Sequence, residues 1–151
     1  MTATNHALTG AVIGLVIGQP WIAVPAAIVS HFVCDTLPHA GSQERNDKVI
    51  RTKLFRNYLL TDGGLCVALV GALALFRPEH WFLAAVCAFL ATSPDLLWIN
   101  RYLKARAGRS WKPGAYSKFA RDIQWFQRPI GAVVEITWFA AALIILIPFF
   151  R

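Results

Sequence analysis

Residues 7–39 read ALTGAVIGLVIGQPWIAVPAAIVSHFVCDTLPH, and the fold turns on how this run is interpreted. It is apolar almost throughout, yet Gly18-Gln19-Pro20 interrupts it midway and His31, Asp35 and His39 punctuate its end. A helix rising about 1.5 Å per residue needs about 20 apolar residues to cross a hydrocarbon core of about 30 Å. The break leaves two segments shorter than that. The run therefore predicts a hairpin of two short helices, the first over His6 to Gly18 and the second over Trp21 to Leu37. Pro38 stops the second, because the residue before a proline is pushed out of the helical region. A cleaved signal peptide is the rival reading. Met1 to Asn5 carry no Lys or Arg and no small-residue cleavage site precedes a soluble domain, so a retained hairpin is expected.

The rest of the chain continues the pattern. Of 151 residues 56% are hydrophobic and 15% charged, where soluble domains carry about 25% charged residues. That balance excludes disorder and argues against a soluble enzyme. Further apolar helices are expected over Asn57 to Phe76, closed by Arg77-Pro78-Glu79, over His80 to Asn100, and over Pro129 to Phe150. The last opens on a proline, whose missing N–H costs nothing at a helix start. Between them Tyr116, Phe119, Ile123 and Phe126 recur at helical steps opposite Lys118, Arg121 and Asp122, the spacing of a helix lying on a bilayer surface. The expected fold is all-α: a single membrane-embedded domain over 1–151, an integral membrane bundle of about five helices. It comprises the short N-terminal hairpin, three full-length spans and one interfacial amphipathic helix.

The net charge is +7. Basic residues crowd into two polar segments, Arg45 to Arg56 and Arg101 to Arg128, while the apolar blocks hold few. That asymmetry sets topology, placing both segments and the N-terminus in the cytoplasm, and it makes anionic headgroups a better partner than nucleic acid. Cys34, Cys66 and Cys87 lie in apolar stretches without C-x-x-C spacing and are read as buried thiols.

Titratable groups inside apolar helices each cost about 2.5 to 3.5 kcal/mol on insertion scales, so each asks for a partner or a purpose. His6, His31, Asp35, Asp62, Asp95 and Glu135, with His39 just beyond its helix, all fall near the cytoplasmic ends of their helices. His6, Gly10, Gly14 and Gly18 repeat every four residues, as do Ala23, Ala27, His31 and Asp35. Small residues let membrane helices approach closely. Folding the hairpin is expected to set Gly14 opposite Ala27, Gly10 opposite His31 and His6 opposite Asp35. Imidazoles and carboxylates at one depth are a ligand set for a divalent ion, and His31-x-x-x-Asp35 has the spacing at which two residues of one helix reach one ion. Asp62 and Asp95 also have structural readings, a helix dipole for one and a cap at a kink for the other. Glu135 has a bridge to Arg128 or Arg101, and His39 a place in a solvated loop. Trp98, Trp111 and Trp125 read as an interfacial belt.

The motifs Asn5-His6-Ala7-Leu8-Thr9-Gly10, Ser30-His31-Phe32-Val33-Cys34-Asp35-Thr36-Leu37-Pro38-His39 and Ser93-Pro94-Asp95 resemble the bacterial inner-membrane metal-dependent hydrolases of the YdjM type, over roughly the first 100 residues. The resemblance implies a hydrolase carried by His6, His31, Asp35 and Asp95. More distantly, His31-x-x-x-Asp35 followed by Pro38-His39 is similar to the ligand run of zinc-dependent phospholipases C. Here proline and histidine are adjacent and that family's remaining ligands lack counterparts, so one or two metals are expected rather than three. The expectation is a metal-dependent hydrolase at the cytoplasmic membrane surface, acting on an ester or phosphoester of a lipid-like substrate. Zn²⁺ comes first, then Mn²⁺ or Mg²⁺, held by His6, His31, Asp35, His39 and Asp95. Asp62 or Glu135 is the expected general base, and Arg51, Arg56, Arg101 and Arg128, with Lys53, would hold a phosphate. The rival is a membrane metal-binding or partner-recruiting protein without turnover. Transport fits poorly, because Gly14, Ala27, Val70, Ala88 and Ala142 below the cluster offer no polar path.

Overall fold

The computed structural model describes residues 1–40 and 47–151, which are helical with turns and no strands. Glu44 and Arg45 of the predicted polar loop lie outside the described residues. Three helical stretches are long and apolar enough to cross a membrane: Lys53–Phe76, Trp81–Arg106 and Gly131–Phe150.

Helix α1 (Ala3–Ile17) begins where the Thr2 hydroxyl accepts from the Asn5 N–H, and it ends at Gly18, whose φ of 65° is the left-handed conformation a side chain resists. Gln19 then leads into α2 (Pro20–Thr36), with proline at its first turn. With 15 residues α1 is roughly 22 Å long, short of a full crossing. It is nevertheless the centre of the bundle: Ala7, Leu8, Ala11 and Leu15 are buried, and α1 packs on α2, α4, α5 and α8.

A short helix α3 (Asp47–Ile50) precedes α4 (Lys53–Phe76), which starts a turn earlier than the sequence suggests. Thr52 caps it by accepting from the Phe55 N–H at 3.1 Å, which moves Asp62 from the expected helix start well into the helix. The predicted helix over His80 to Asn100 is three pieces: α5 (Trp81–Thr92), a 3-10 helix over Ser93–Trp98, and α6 (Ile99–Arg106). Pro94 has no N–H for the α-helical ladder, so the backbone tightens there and carries Asp95 in the altered turn. Helix α7 (Ala115–Ile123) stops short of Phe126. The last helix, α8 (Gly131–Leu146), is followed by a 3-10 turn over Ile147–Phe150 at Pro148.

The expected pairing inside the hairpin is corrected by α5. A methyl group at Gly10 would fall within 3.0 Å of the Cys87 carbonyl and Ala88, and one at Gly14 within 3.0 Å of Ala84. The glycine stripe of α1 therefore faces α5 and not α2. Ala84, Ala88 and Ala91 give α5 a small-residue face of its own, so the two backbones can approach closely. Ala23 and Ala27 of α2 pack on the same helix, with Cys87 and Ala91. By contrast, α4 buries little beyond Leu73, and a methyl at Gly63, Gly64 or Gly71 meets nothing within 4 Å.

Candidate metal centre

The polar groups gather around the first turns of α1. His6 is fully buried (0% exposed), His31 and Asp35 of α2 are nearly so (2% each), and Asp95 joins them from the 3-10 helix at intermediate exposure. The imidazoles of His6 and His31 stack with centroids 4.2 Å apart. One ligand atom from each of His6, His31 and Asp95 lies within 4.8 Å of the others. Asp35 adds Oδ1 at 3.2 Å from His6 Nε2 and Oδ2 at 3.6 Å from His31 Nε2. Donors around a tetrahedral ion with bonds of 2.0–2.1 Å stand roughly 3.3 Å apart, so these spacings suit a small dication.

Two further observations bear on whether the cluster could hold an ion. His6 Nδ1 is buried without a hydrogen-bond partner, and Nε2, equally buried, has the Asp35 carboxylate 3.2 Å away but not in hydrogen-bond geometry. An imidazole left so in a low-dielectric interior is costly, and a cation at Nε2 would use one of the two. His31 is aimed for the same purpose. Its Nδ1 lies 2.8 Å from the Ala91 carbonyl, which only accepts, so Nδ1 carries the proton and Nε2 keeps its lone pair toward the cluster.

Asp35 is held from several sides. The Met1 amine nitrogen lies 2.6 Å from Oδ1, and the Gln124 amide donates to Oδ2 at 2.8 Å. Gln124 in turn accepts from Gln127 at 2.6 Å, and Gln127 donates to His39 Nε2 at 3.1 Å. His39 Nδ1 faces the Leu37 carbonyl at 2.8 Å, which settles its proton on Nδ1 and leaves Nε2 to accept. Both ring nitrogens of His39 are thus engaged, so this residue, expected as a ligand, ends a hydrogen-bonded chain leading to Asp35. The backbone seals the junction: Arg128 N–H donates to the His39 carbonyl at 3.2 Å, and a methyl at Gly131 would strike the His39 backbone.

The two expected general bases stand elsewhere. Asp62 accepts from the Ala3 and Thr4 N–H groups, both at 2.9 Å, and from the Thr4 hydroxyl. It satisfies the orphan donors at the start of α1, a capping role supplied by a different helix. Glu135 is buried on α8 among the Thr2 backbone, the N-terminal amine, Asp62 and His6, while the Asn5 amide donates to its backbone carbonyl at 3.1 Å. Neither lines the cavity described next.

That cavity, about 520 Å³, opens beside the cluster. It is lined by His31, Asp35 and Asp95 of the cluster, by Trp98, Arg101 and Trp111, and by Tyr116, Arg121, Gln124 and Gln127 from α7 and the segment after it. Helix α7, expected to lie on the bilayer surface, packs on α2 through Phe119 against Phe32, with ring centroids 5.8 Å apart. The Tyr116 hydroxyl donates to the Pro94 carbonyl at 3.1 Å and ties α7 to the 3-10 helix. Burial, helped by the charges of Asp95 and Asp35, pushes the Tyr116 pKa up, so it remains a donor. Of the expected phosphate-holding arginines, only Arg101 lines the cavity; Arg51, Arg56 and Arg128 do not, and Arg121 does. Trp98 and Trp111, read as interfacial anchors, are wall residues, whereas Trp125 is exposed. Sequence gave no signal for Gln124 and Gln127, whose uncharged amides sit in a segment dominated by basic and aromatic residues.

No protein-family model, curated protein or solved structure matches this chain.

Proposed function

We propose that the protein is a membrane-embedded metal-dependent hydrolase of the YdjM type. Its site faces the cytoplasm at a bacterial inner membrane, and it acts on an ester or phosphoester of an amphiphilic substrate. The observation that carries this reading is the buried cluster of His6, His31, Asp35 and Asp95, in which His6 Nδ1 has no hydrogen-bond partner, next to a cavity of about 520 Å³ that His31, Asp35 and Asp95 help to line. A membrane setting fits the three long apolar helices and the many large apolar side chains on their outer faces, such as Val67, Leu75, Ile136 and Ile144. The clustering of Lys and Arg in two segments supports the orientation.

His6, His31, Asp35 and Asp95 hold the ion, Zn²⁺ foremost and Mn²⁺ or Mg²⁺ next. A divalent ion, when bound, supplies a Lewis acid that acidifies water and polarises the scissile oxygen. The chain's own residues do the rest. The Ala91 carbonyl keeps the proton of His31 on Nδ1, and Gln124 keeps Asp35 in register. Asp95, the least buried carboxylate of the group and a lining residue, would hold the ion through one oxygen, and its other oxygen takes the proton from an attacking water in the cavity. The water oxygen bonds to the acyl carbon or phosphorus, the ester bond to the leaving oxygen breaks, and the proton held by Asp95 passes to that oxygen. Asp62, closed by its three donors, is not available for this task.

Elemental analysis of detergent-purified protein tests the reading. One or two equivalents of metal are expected, with His31→Ala losing both metal and turnover. Stoichiometric metal in a His31→Ala, Asp35→Ala double variant would overturn it. Full metal content with no hydrolysis of any ester or phosphoester would favour a membrane metal-binding protein instead.

A further inference from the structure

The cavity carries more information than the cluster beside it. Two arginines line it from different elements, Arg101 from α6 and Arg121 from α7, together with the carboxylates of Asp35 and Asp95. The Arg101 guanidinium lies over the Trp111 ring, 5.1 Å from its centroid, a stacking that holds the planar fork in place. With Asp122 3.4 Å from Arg121 Nε and the Met1 amine 2.6 Å from Asp35 included, cations and acids still balance three to three, so a bound dication leaves the cavity positive and its ligand anionic. Two guanidiniums lining one cavity suit an anion with several oxygens and up to two charges better than a single carboxylate. Apolar surface completes the wall: Phe32, Leu97 and Ile123 line the same space, and Leu97 is 63% exposed where the cavity meets the outside.

We propose that this cavity binds a phosphate monoester, with Arg101 and Arg121 holding the phosphoryl oxygens and Phe32, Leu97 and Ile123 receiving the apolar part. The inference rests on the hydrolase reading above and narrows its substrate to one class. Arg101 and Arg121 are binding residues, while the stacked Trp111 positions Arg101. The same phosphoryl chemistry is offered by a membrane lipid carrying a terminal phosphate and by a soluble phosphate monoester.

The test uses the full chain in detergent micelles, loaded with Zn²⁺ or Mn²⁺, with metal content measured in parallel. Inorganic phosphate is titrated and binding is read by calorimetry and by the fluorescence of Trp98 and Trp111 in the cavity wall. Saturable binding, much tighter than that of acetate, is expected. Arg101→Ala should weaken it by about tenfold or more, Arg101→Lys by less because charge survives without the fork, and Arg121→Ala by about tenfold. Arg121 is exposed, so its variant separates binding from folding. Displacement of phosphate by phosphatidic acid in vesicles, or by glycerol phosphate alone, supports the proposal and identifies the source. Metal-loaded protein that binds phosphate no better than acetate overturns it and leaves the hydrolase reading standing, as do unchanged affinities in both alanine variants. Displacement by neither ester also overturns it. A wild-type protein without metal removes both readings.

Discussion

The two ends of α1 are built on opposite principles. From Gly10 to Gly14 the helix is dry, with its backbone pressed against Cys87, Ala88 and Ala84 so closely that a methyl group has no room. From Thr2 to His6 it is polar. There it receives a carboxylate from α4 at Ala3 and Thr4, touches the Glu135 carbonyl through Asn5, and presents His6 to Asp35 and His31. The comparison teaches that the first end positions the second. Close approach of α1 to α5 leaves the bundle little freedom to shift, and so fixes where His6 stands relative to Asp35 and His31.

The largest expected effect comes from breaking the dry end. Gly14→Val forces a branched side chain into the Ala84 backbone and should cost about 3 kcal/mol, read as a lower thermal midpoint in detergent and lost metal, since the helices must part. A variant of wild-type stability would refute the idea that this seam sets the geometry of the polar end. A smaller loss is expected at the polar end itself. Asp62→Ala strips the N–H groups of Ala3 and Thr4 of their acceptor and should destabilise the protein by about 2 kcal/mol. Metal content and turnover per folded molecule should persist, because the residue caps and does not carry protons. Loss of turnover with full stability would restore Asp62 as the base. The smallest effect sharpens the contrast. Gln124→Leu removes the donor to Asp35 and cuts its link to His39, and metal affinity should fall about tenfold in a chelator competition, with little change in stability.

Part of this was legible in the chain. The break at Gly18-Gln19-Pro20 gave the hairpin, and folding it set His6 against Asp35, where the structure has them 3.2 Å apart. The partner of the glycine stripe was not legible. Gly10 and Gly14 mark one face of a helix, but α2 and α5 both offer small residues, and only their joint packing decides which one meets that face. The roles of Asp62 and His39 were hidden for a related reason. A carboxylate well inside α4 serves α1 across 59 residues of sequence, and His39 is satisfied by Gln127 across 88. The separate pieces of the predicted fourth helix follow from Pro94, whose effect on the ladder was visible but not its extent.

Composition and periodicity alone determined that this chain is helical, that long apolar helices follow a short hairpin, and that the acids and imidazoles inside those helices fall near one end of them. These are local properties, set by which side chains each helix carries and at what spacing. Which of those side chains meet, the packing of α7 on α2 beside a cavity, and the exchange of Arg51, Arg56 and Arg128 for Arg121 in its lining were decided only by the tertiary structure. A sequence pattern specifies a face of each helix, whereas a site requires several faces to agree in distance. That agreement is imposed by packing between segments far apart in the chain.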